Sequence, residues 1–320
     1  MKYCWKDFVL ALVLTWVLPW VIMAVMEVTL GNDDPLPQLQ TQPAQTEALE
    51  TQSPEEQNIQ VWHDGILDEF PLTEYLTGVL ISEMPGSFQM EAKMAQAVVA
   101  RTYALRRVGG TDKHPGAVCT DSNCCQGYLD PDTFADRETV KLARQAVEAT
   151  AGIVLTYEGE LIDATYFSCS GGFTEDAVAV WGSDVPYLQS VESPGEEIAA
   201  HYTDTTHFTK EQLETALGVK LGVGNWIGTM TYTEGGGVAS VMIGGKQFRG
   251  TELRTLLGLH STAFAVKTEA GGITFTTKGY GHRVGMSQYG AEAMALQGSS
   301  YQQILAHYYR GSQLTYWESQ

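Results

Sequence analysis

The chain has 320 residues, 44% of them hydrophobic and 18% charged, which is long and apolar enough to bury a sizeable core. Lys and Arg number 19 against 38 Asp and Glu, a net charge of −19. No basic stripe is present to neutralise phosphates, which excludes a general nucleic-acid binder and charge-driven docking on anionic lipid. Neutral polymers, sugars or other proteins are the expected partners.

Phe8 to Met26 is an uncharged apolar run close to the roughly 20 residues that cross a bilayer as helix. Lys2 and Lys6 precede it, and Glu27, Asp33 and Asp34 follow. That bias keeps the N-terminus in the cytoplasm and sends the rest across. The run is longer than a usual signal core and no clear A-x-A site follows, so residues 1–30 read as an uncleaved anchor. Residues 31–60 carry Asp33, Asp34, Glu47, Glu50, Glu55 and Glu56 among Pro, Gln and Thr, with no Lys or Arg. Such a stretch buries too little apolar surface to offset its ordering entropy and reads as a disordered acidic linker. The domain at 61–315 is then expected outside the cytoplasm, in a single-pass membrane protein.

Leu72, Tyr75, Leu76, Val79 and Leu80 recur at helical spacing, which predicts a helix from Pro71 to Glu83. It ends there because Pro85 pushes Met84 out of the α region. Glu91–Val108 reads as a second helix stopped by Gly109-Gly110, and Asp136–Thr150 as a third. Ile153–Tyr157 and Leu161–Phe167 flank Glu158-Gly159-Glu160 as a hairpin. Phe208–Leu217 reads as helix, Thr229–Thr233 with Val238–Ile243 as a hairpin, and Thr251–Leu257 as a short helix. Phe264–Thr268 with Ile273–Thr277 make a third hairpin; Ser287–Leu296 and Tyr301–Tyr309 are helical. Helices and hairpins intermingle with no βαβα rhythm. The fold class is therefore α+β, with a smaller α/β lobe inserted at about 203–277 and one transmembrane helix ahead.

Glu83 shares the apolar face of its helix with Leu76, Val79 and Leu80 and sits at the helix C-terminus. Burial and the macrodipole both raise a carboxylate pKa there, as a general acid near neutral pH requires. A solvated glutamate at a frayed end is the alternative. Arg101 lies inside the apolar stripe of the second helix, where a guanidinium needs an anionic or carbonyl partner, Glu83 being one candidate. His114, Cys119, Cys124 and Cys125 place four soft ligands within one polar loop. A structural zinc ion fits that set, and a disulfide competes because the compartment can be oxidising. Cys169, in the run Tyr166 to Glu175, invites a nucleophile reading with His282 as base, against a buried small hydrophobe beside a turn. Glycines at 279, 281, 285 and 290 surround His282, Ser287 and Gln288, a ligand-binding pattern without a nucleotide fingerprint. Trp181, Tyr187 and Tyr280 could stack on sugar faces.

Four blocks, in order, carry a resemblance: Ser82-Glu83-Met84-Pro85, Lys93 to Ala104, Ser168-Cys169-Ser170-Gly171-Gly172, and Gly281 to Ala291. Together they resemble the stage II sporulation protein D family. That resemblance implies a membrane-anchored lytic transglycosylase that cuts peptidoglycan glycan strands to 1,6-anhydro-N-acetylmuramic acid products during engulfment in endospore formation. It sits in the mother-cell membrane facing the forespore. The catalytic glutamate of the family falls on Glu83. The substrate groove falls on Arg101, Tyr103, Ser170, Gly171, His282, Ser287 and Gln288. Catalysis needs no cofactor. A structural zinc on His114, Cys119, Cys124 and Cys125 occurs in some members, and Cys124-Cys125 departs from their pattern. A sporulation cell-wall amidase and a membrane organising protein are the implied partners. A cysteine-dependent wall amidase or peptidase using Cys169 and His282, and a non-catalytic wall-binding scaffold, are the competing readings.

Overall fold

The computed structural model describes residues 57–110, 114–269 and 271–317. The anchor and nearly all of the acidic linker lie outside the described residues. No helix among the described residues is long and apolar enough to cross a membrane. The first described strand, β1 (Asn58–His63), begins inside the stretch read as linker and pairs antiparallel with β2 (Ile66–Pro71). Periodicity did not reveal this hairpin, because β2 is mostly exposed on both faces.

Helix α1 (Leu72–Glu83) follows directly and ends where Met84 turns extended, at φ −122° and ψ 137°, ahead of Pro85. Helix α2 (Met90–Val108) is the central element. From Ala92 to Ala104 nearly every side chain is buried, and its many alanines let neighbours approach on all sides. A two-residue strand, β3 (Val118–Cys119), adds parallel to β1. Helix α3 (Arg137–Ala149) is capped by Asp136, whose carboxylate accepts from the main-chain N–H groups of Glu138 and Thr139. Helices α1, α2 and α3 and strand β1 enclose one apolar cluster, with Leu76, Val79, Ala97, Ala100 and Val147 at its centre.

Strand β4 (Ile153–Tyr157) turns into β5 (Glu160–Leu161). The expected second hairpin strand through Phe167 is cut short. The chain leaves after Leu161, and β6 (Tyr166–Phe167) pairs elsewhere, parallel to β13 (Met286–Ser287). A short helix, α4 (Ala177–Trp181), precedes the inserted segment.

That segment begins with β7 (Thr203–Thr209) and ends with its neighbour β12 (Gly272–Lys278), so Thr203 lies opposite Lys278. The helix expected from Phe208 starts later, as α5 (Lys210–Leu217), because Thr209 caps it in a capping box with Gln212 and Phe208 stays in the strand. Strands β8 (Ile227–Tyr232), β9 (Val238–Ile243) and β10 (Lys246–Arg249) form one small sheet; β7, β12 and β11 (Ala263–Glu269) form another. With α6 (Gly250–Leu257) they surround their own core of Leu213, Val241, Phe248, Leu253 and Phe275.

After β13, helix α7 (Gln288–Leu296) is capped by Ser287, and α8 (Tyr301–Tyr308) by a Ser300–Gln303 capping box. Both pack on the face of α2 opposite α1, in a cluster with Val98, Leu155, Met286, Ile304 and Tyr308. Strand β14 (Gln313–Tyr316) pairs with β4. The architecture is mixed α+β with several small sheets. Its consequence for function is that the C-terminus of α1 and the N-terminus of α7 meet beside α2.

Candidate active site

Glu83 is the last residue of α1 and is half-buried. Its Oε1 accepts the main-chain N–H of Gly127 at 2.8 Å. The Tyr166 hydroxyl and the Gln288 side chain also bond its carboxyl, and Gln288 Nε2 donates to the Glu83 carbonyl at 3.1 Å. Burial pushes the carboxyl pKa above the ordinary range, while these three donors pull it back. The group is held so that both protonation states are supported, which general acid–base work requires. Gly127 is required by its place: a Cβ there would lie 2.6 Å from Ser82 Oγ and 3.0 Å from Glu83 Oε1.

The turn after Glu83 is fixed from below. Lys93 is buried, and its ammonium donates to the carbonyls of Gly86 and Phe88. The Gln89 N–H donates to Glu292 Oε2 at 2.7 Å, tying the turn to α7.

Arg101 does not meet Glu83. It is 3% exposed, and its guanidinium donates to the carbonyls of Thr150 at 2.7 Å, Ile153 at 3.1 Å and Val147 at 2.9 Å. These are carbonyls at and just past the end of α3, which the helix leaves unpaired. Its expected place in the substrate groove is therefore corrected to a clamp between α2 and α3. Tyr103 is also buried, its hydroxyl pushed up to about 12 chiefly by that burial, with Arg107 4.9 Å over its ring.

The glycine-rich blocks are likewise largely internal. Ser170 is fully buried: its N–H and hydroxyl both donate to Glu196 Oε2 at 2.8 Å, as does the N–H of half-buried Gly171. Ser287 is buried as the α7 cap, accepting from Gly290 N–H at 3.1 Å. Both hydroxyls are buried and used inside the fold, so their expected place in the substrate groove is corrected to a turn around Glu196 and a helix cap. Glu196 itself, which no periodicity marked, is fully buried and also takes Ser193 Oγ at 2.7 Å. Arg283 is equally hidden, with φ 68°, and donates to the carbonyls of Ser170, Phe173 and Gly235 and to Glu175 Oε1 at 2.9 Å.

Cys169 is fully buried and its thiol donates to Glu196 Oε2 at 3.4 Å. Burial first, and then the Glu196 charge, push its pKa up to about 12, the reverse of what a nucleophile needs. His282 is pushed down to about 4, by burial first and then by Arg254, and its Nδ1 is taken by the Val284 N–H at 3.1 Å. The cysteine–histidine reading fails on both partners. The His282 ring instead packs between Phe167 and Trp181, at centroid distances of 5.6 and 5.4 Å. Trp181 and Tyr280 are 44% and 41% exposed, leaving aromatic faces open to solvent.

The four soft residues converge. The donor atoms of His114, Cys119, Cys124 and Cys125 all lie within 4.8 Å of one another, with His114 Nε2 3.5 Å from Cys124 Sγ. Three thiols and one imidazole form a closed zinc-type set. Burial and the neighbouring sulfurs hold the Cys125 thiol up at about 12, so only a cation among them would favour thiolates. The residues present fit a structural metal ion.

The family model for stage II sporulation protein matches residues 63–157, a span holding Glu83 and all four of these ligands. Stage II sporulation protein D of Bacillus amyloliquefaciens is 41% identical over 255 residues, covering 77% of this chain and 74% of that protein. The chain belongs to the stage II sporulation protein D family. The family protein of Bacillus subtilis (strain 168) is 40% identical over 259 residues, covering 78% of this chain and 76% of its own. An amidase enhancer of the same organism is 32% identical over 295 residues, covering 75% of this chain and 40% of its own length. As a member of the stage II sporulation protein D family, the chain is a sporulation protein with a cell-wall-related role.

Proposed function

We propose that this protein is a lytic transglycosylase that cleaves the glycan strands of peptidoglycan, with Glu83 as its acid and base. One observation carries the reading. The carboxyl of Glu83 has a raised pKa and is bonded by Gly127, Tyr166 and Gln288, none of them an acid. A hydrolytic glycosidase works with a pair of carboxylates, whereas intramolecular capture needs one.

Protonated Glu83 donates to the glycosidic oxygen, and the bond from that oxygen to C1 of N-acetylmuramic acid breaks. Positive charge develops at C1 and the ring oxygen. Glu83, now a carboxylate supported by its three donors, takes the proton of the C6 hydroxyl on the same sugar. The C6 oxygen closes onto C1, leaving a 1,6-anhydro end and restoring the acid. Gln288 ties α7 to the Glu83 main chain, keeping the two walls of the site in register. The exposed faces of Trp181 and Tyr280 offer stacking surfaces for sugar rings, with His282 held neutral beside Trp181.

His114, Cys119, Cys124 and Cys125 would hold one zinc ion, which supplies structural cross-linking of the loop and no chemistry at the glycan. The reading also takes residues 8–26 as a membrane anchor with the domain outside the cytoplasm. A wall amidase and a membrane organiser are the proposed partners. The amidase enhancer among its relatives supports work alongside an amidase.

Glu83→Gln tests the chemistry. It keeps size and hydrogen bonding but cannot transfer a proton. Turnover of purified glycan strands should fall about 10²–10⁴-fold with glycan binding retained. Unchanged turnover would overturn the assignment of Glu83.

A further inference from the structure

Behind Glu83 lies a buried chain of polar side chains, of which the chemistry above uses only the Tyr166 hydroxyl. Gln126 is fully buried. Its Oε1 accepts from the Tyr75 hydroxyl at 3.2 Å, and its Nε2 donates to the Tyr166 hydroxyl at 3.3 Å and faces the Ala100 carbonyl at 3.5 Å. We propose that Tyr75, Gln126 and Tyr166 form a one-way hydrogen-bond relay that aims a single proton at Glu83, with Tyr166 as its positioning residue.

The direction follows from which atoms carry protons. A main-chain carbonyl only accepts, so the amide atom of Gln126 that faces Ala100 must be its NH2. That leaves the amide oxygen facing Tyr75, which must donate to it. The same NH2 group occupies a lone pair on the Tyr166 oxygen. The Tyr166 proton then points to its remaining partner, the Glu83 carboxyl. Ala100 belongs to the main chain of α2, so the orientation of the relay is set by a helix buried along most of its length. Burial holds the hydroxyls of both Tyr75 and Tyr166 well above their ordinary range, so each remains a neutral donor.

Among the described residues, the titratable groups around these side chains are Tyr75 on α1, Tyr103 on α2, Cys119 on β3, Cys125 and Tyr128 in the following loop, the latter stacked on Tyr75, and Tyr166 on β6, while α7 brings the amide of Gln288. Among the donors to the carboxyl, Tyr166 is the one whose proton direction depends on a second side chain. The relay therefore favours the carboxylate form, the state that must accept the C6 proton. This role rests on Glu83 acting as acid and base, but the hydrogen bonds themselves can be tested without turnover.

The experiment uses the full-length protein with glutamate labelled at the carboxyl carbon. Glu83 is assigned by loss of its signal in Glu83→Gln and then titrated by carbon NMR. Removing a donor to the carboxylate destabilises the anion, so Tyr166→Phe should raise the Glu83 pKa by about one unit. Gln126→Met should move it in the same direction by less, because Tyr166 keeps its proton but loses the group that aims it. If the protein turns over glycan, the basic limb of kcat/KM should shift upward with the titration, which a packing role would not cause. A Glu83 titration unchanged in Tyr166→Phe, or moved downward in Gln126→Met, would overturn the relay. Loss of turnover alone in Glu83→Gln speaks to the proposed chemistry and leaves this result standing by itself.

Discussion

The main-chain N–H of Gly127 meets Oε1 of Glu83 at 2.8 Å, joining the catalytic candidate to a loop that carries three cysteines. Cys125 lies two residues before Gly127. Whatever fixes the cysteine cluster therefore also fixes one of the donors that hold the carboxyl.

Gly127→Ala tests that contact at the level of one methyl group. The new Cβ would press on Ser82 Oγ and on the Glu83 carboxyl itself. The carboxyl must give by a few tenths of an ångström. Activity on glycan strands is expected to fall about tenfold, with a small change in thermal midpoint. Activity equal to wild type would show that Glu83 does not need this donor.

Metal content separates the two readings of the cysteine loop. Protein purified without chelators should carry about one zinc per chain, and Cys119→Ser should lower both zinc content and thermal midpoint. Metal-free protein whose mass is lower by about two units would instead show an oxidised pair.

Arg283 and Glu175 form an ion pair in which each side chain is 1% exposed. Arg283 also holds the carbonyl of Gly235, in the turn between β8 and β9, so it links the inserted lobe to the Gly281–Gly290 loop. Arg283→Met would leave a buried carboxylate without its cation, at a cost of about 3–5 kcal/mol. Urea titration should show a lower midpoint at an unchanged slope. A loss below about 1 kcal/mol would mean that the pair contributes little to the fold.

His282 gives a pH signature. Its imidazole is pushed from the ordinary 6.5 down to about 4, so the folded protein favours the neutral ring. The stability this contributes is present above about pH 6.5 and is lost as pH falls toward 4. His282→Gln removes the term. The stability difference between wild type and variant should shrink over that window, measured by chemical denaturation at several pH values. A difference independent of pH would place the ring in solvent.

Much of the site was legible because its signals are local. Glu83 showed itself through neighbours three, four and seven residues back on one helix face. His114, Cys119, Cys124 and Cys125 lie in one loop, where composition alone marks a ligand set. The groups that complete the site are remote: Gly127 is 44 residues away in sequence and Gln288 205. No spacing rule reaches them. Arg101 was legible in part. The apolar stripe called for an anionic or carbonyl partner, and carbonyls at the end of α3 supply it; its place in the groove was implied by the family resemblance alone. Ser170 and Ser287 read as ligand donors because small polar residues between glycines serve both turns and binding loops. Here they serve a turn around Glu196 and a helix cap. The fold followed the same division. Strongly periodic helices were found nearly to the residue. The short strands β3 and β13 were not, and Tyr166–Phe167 was read as strand but with the wrong partner, since two-residue pairings leave no pattern.

The most direct test of a single-glutamate transglycosylase is the chemistry of the cut ends. Full-length protein should be incubated with purified glycan strands and the products weighed by mass spectrometry. The expected products end in 1,6-anhydro-N-acetylmuramic acid, about 18 mass units lighter than a hydrolysed end, because the C6 hydroxyl rather than water captures C1. Products carrying only reducing ends would contradict the mechanism and point to hydrolysis with a second carboxylate; intact strands would point to a binding protein.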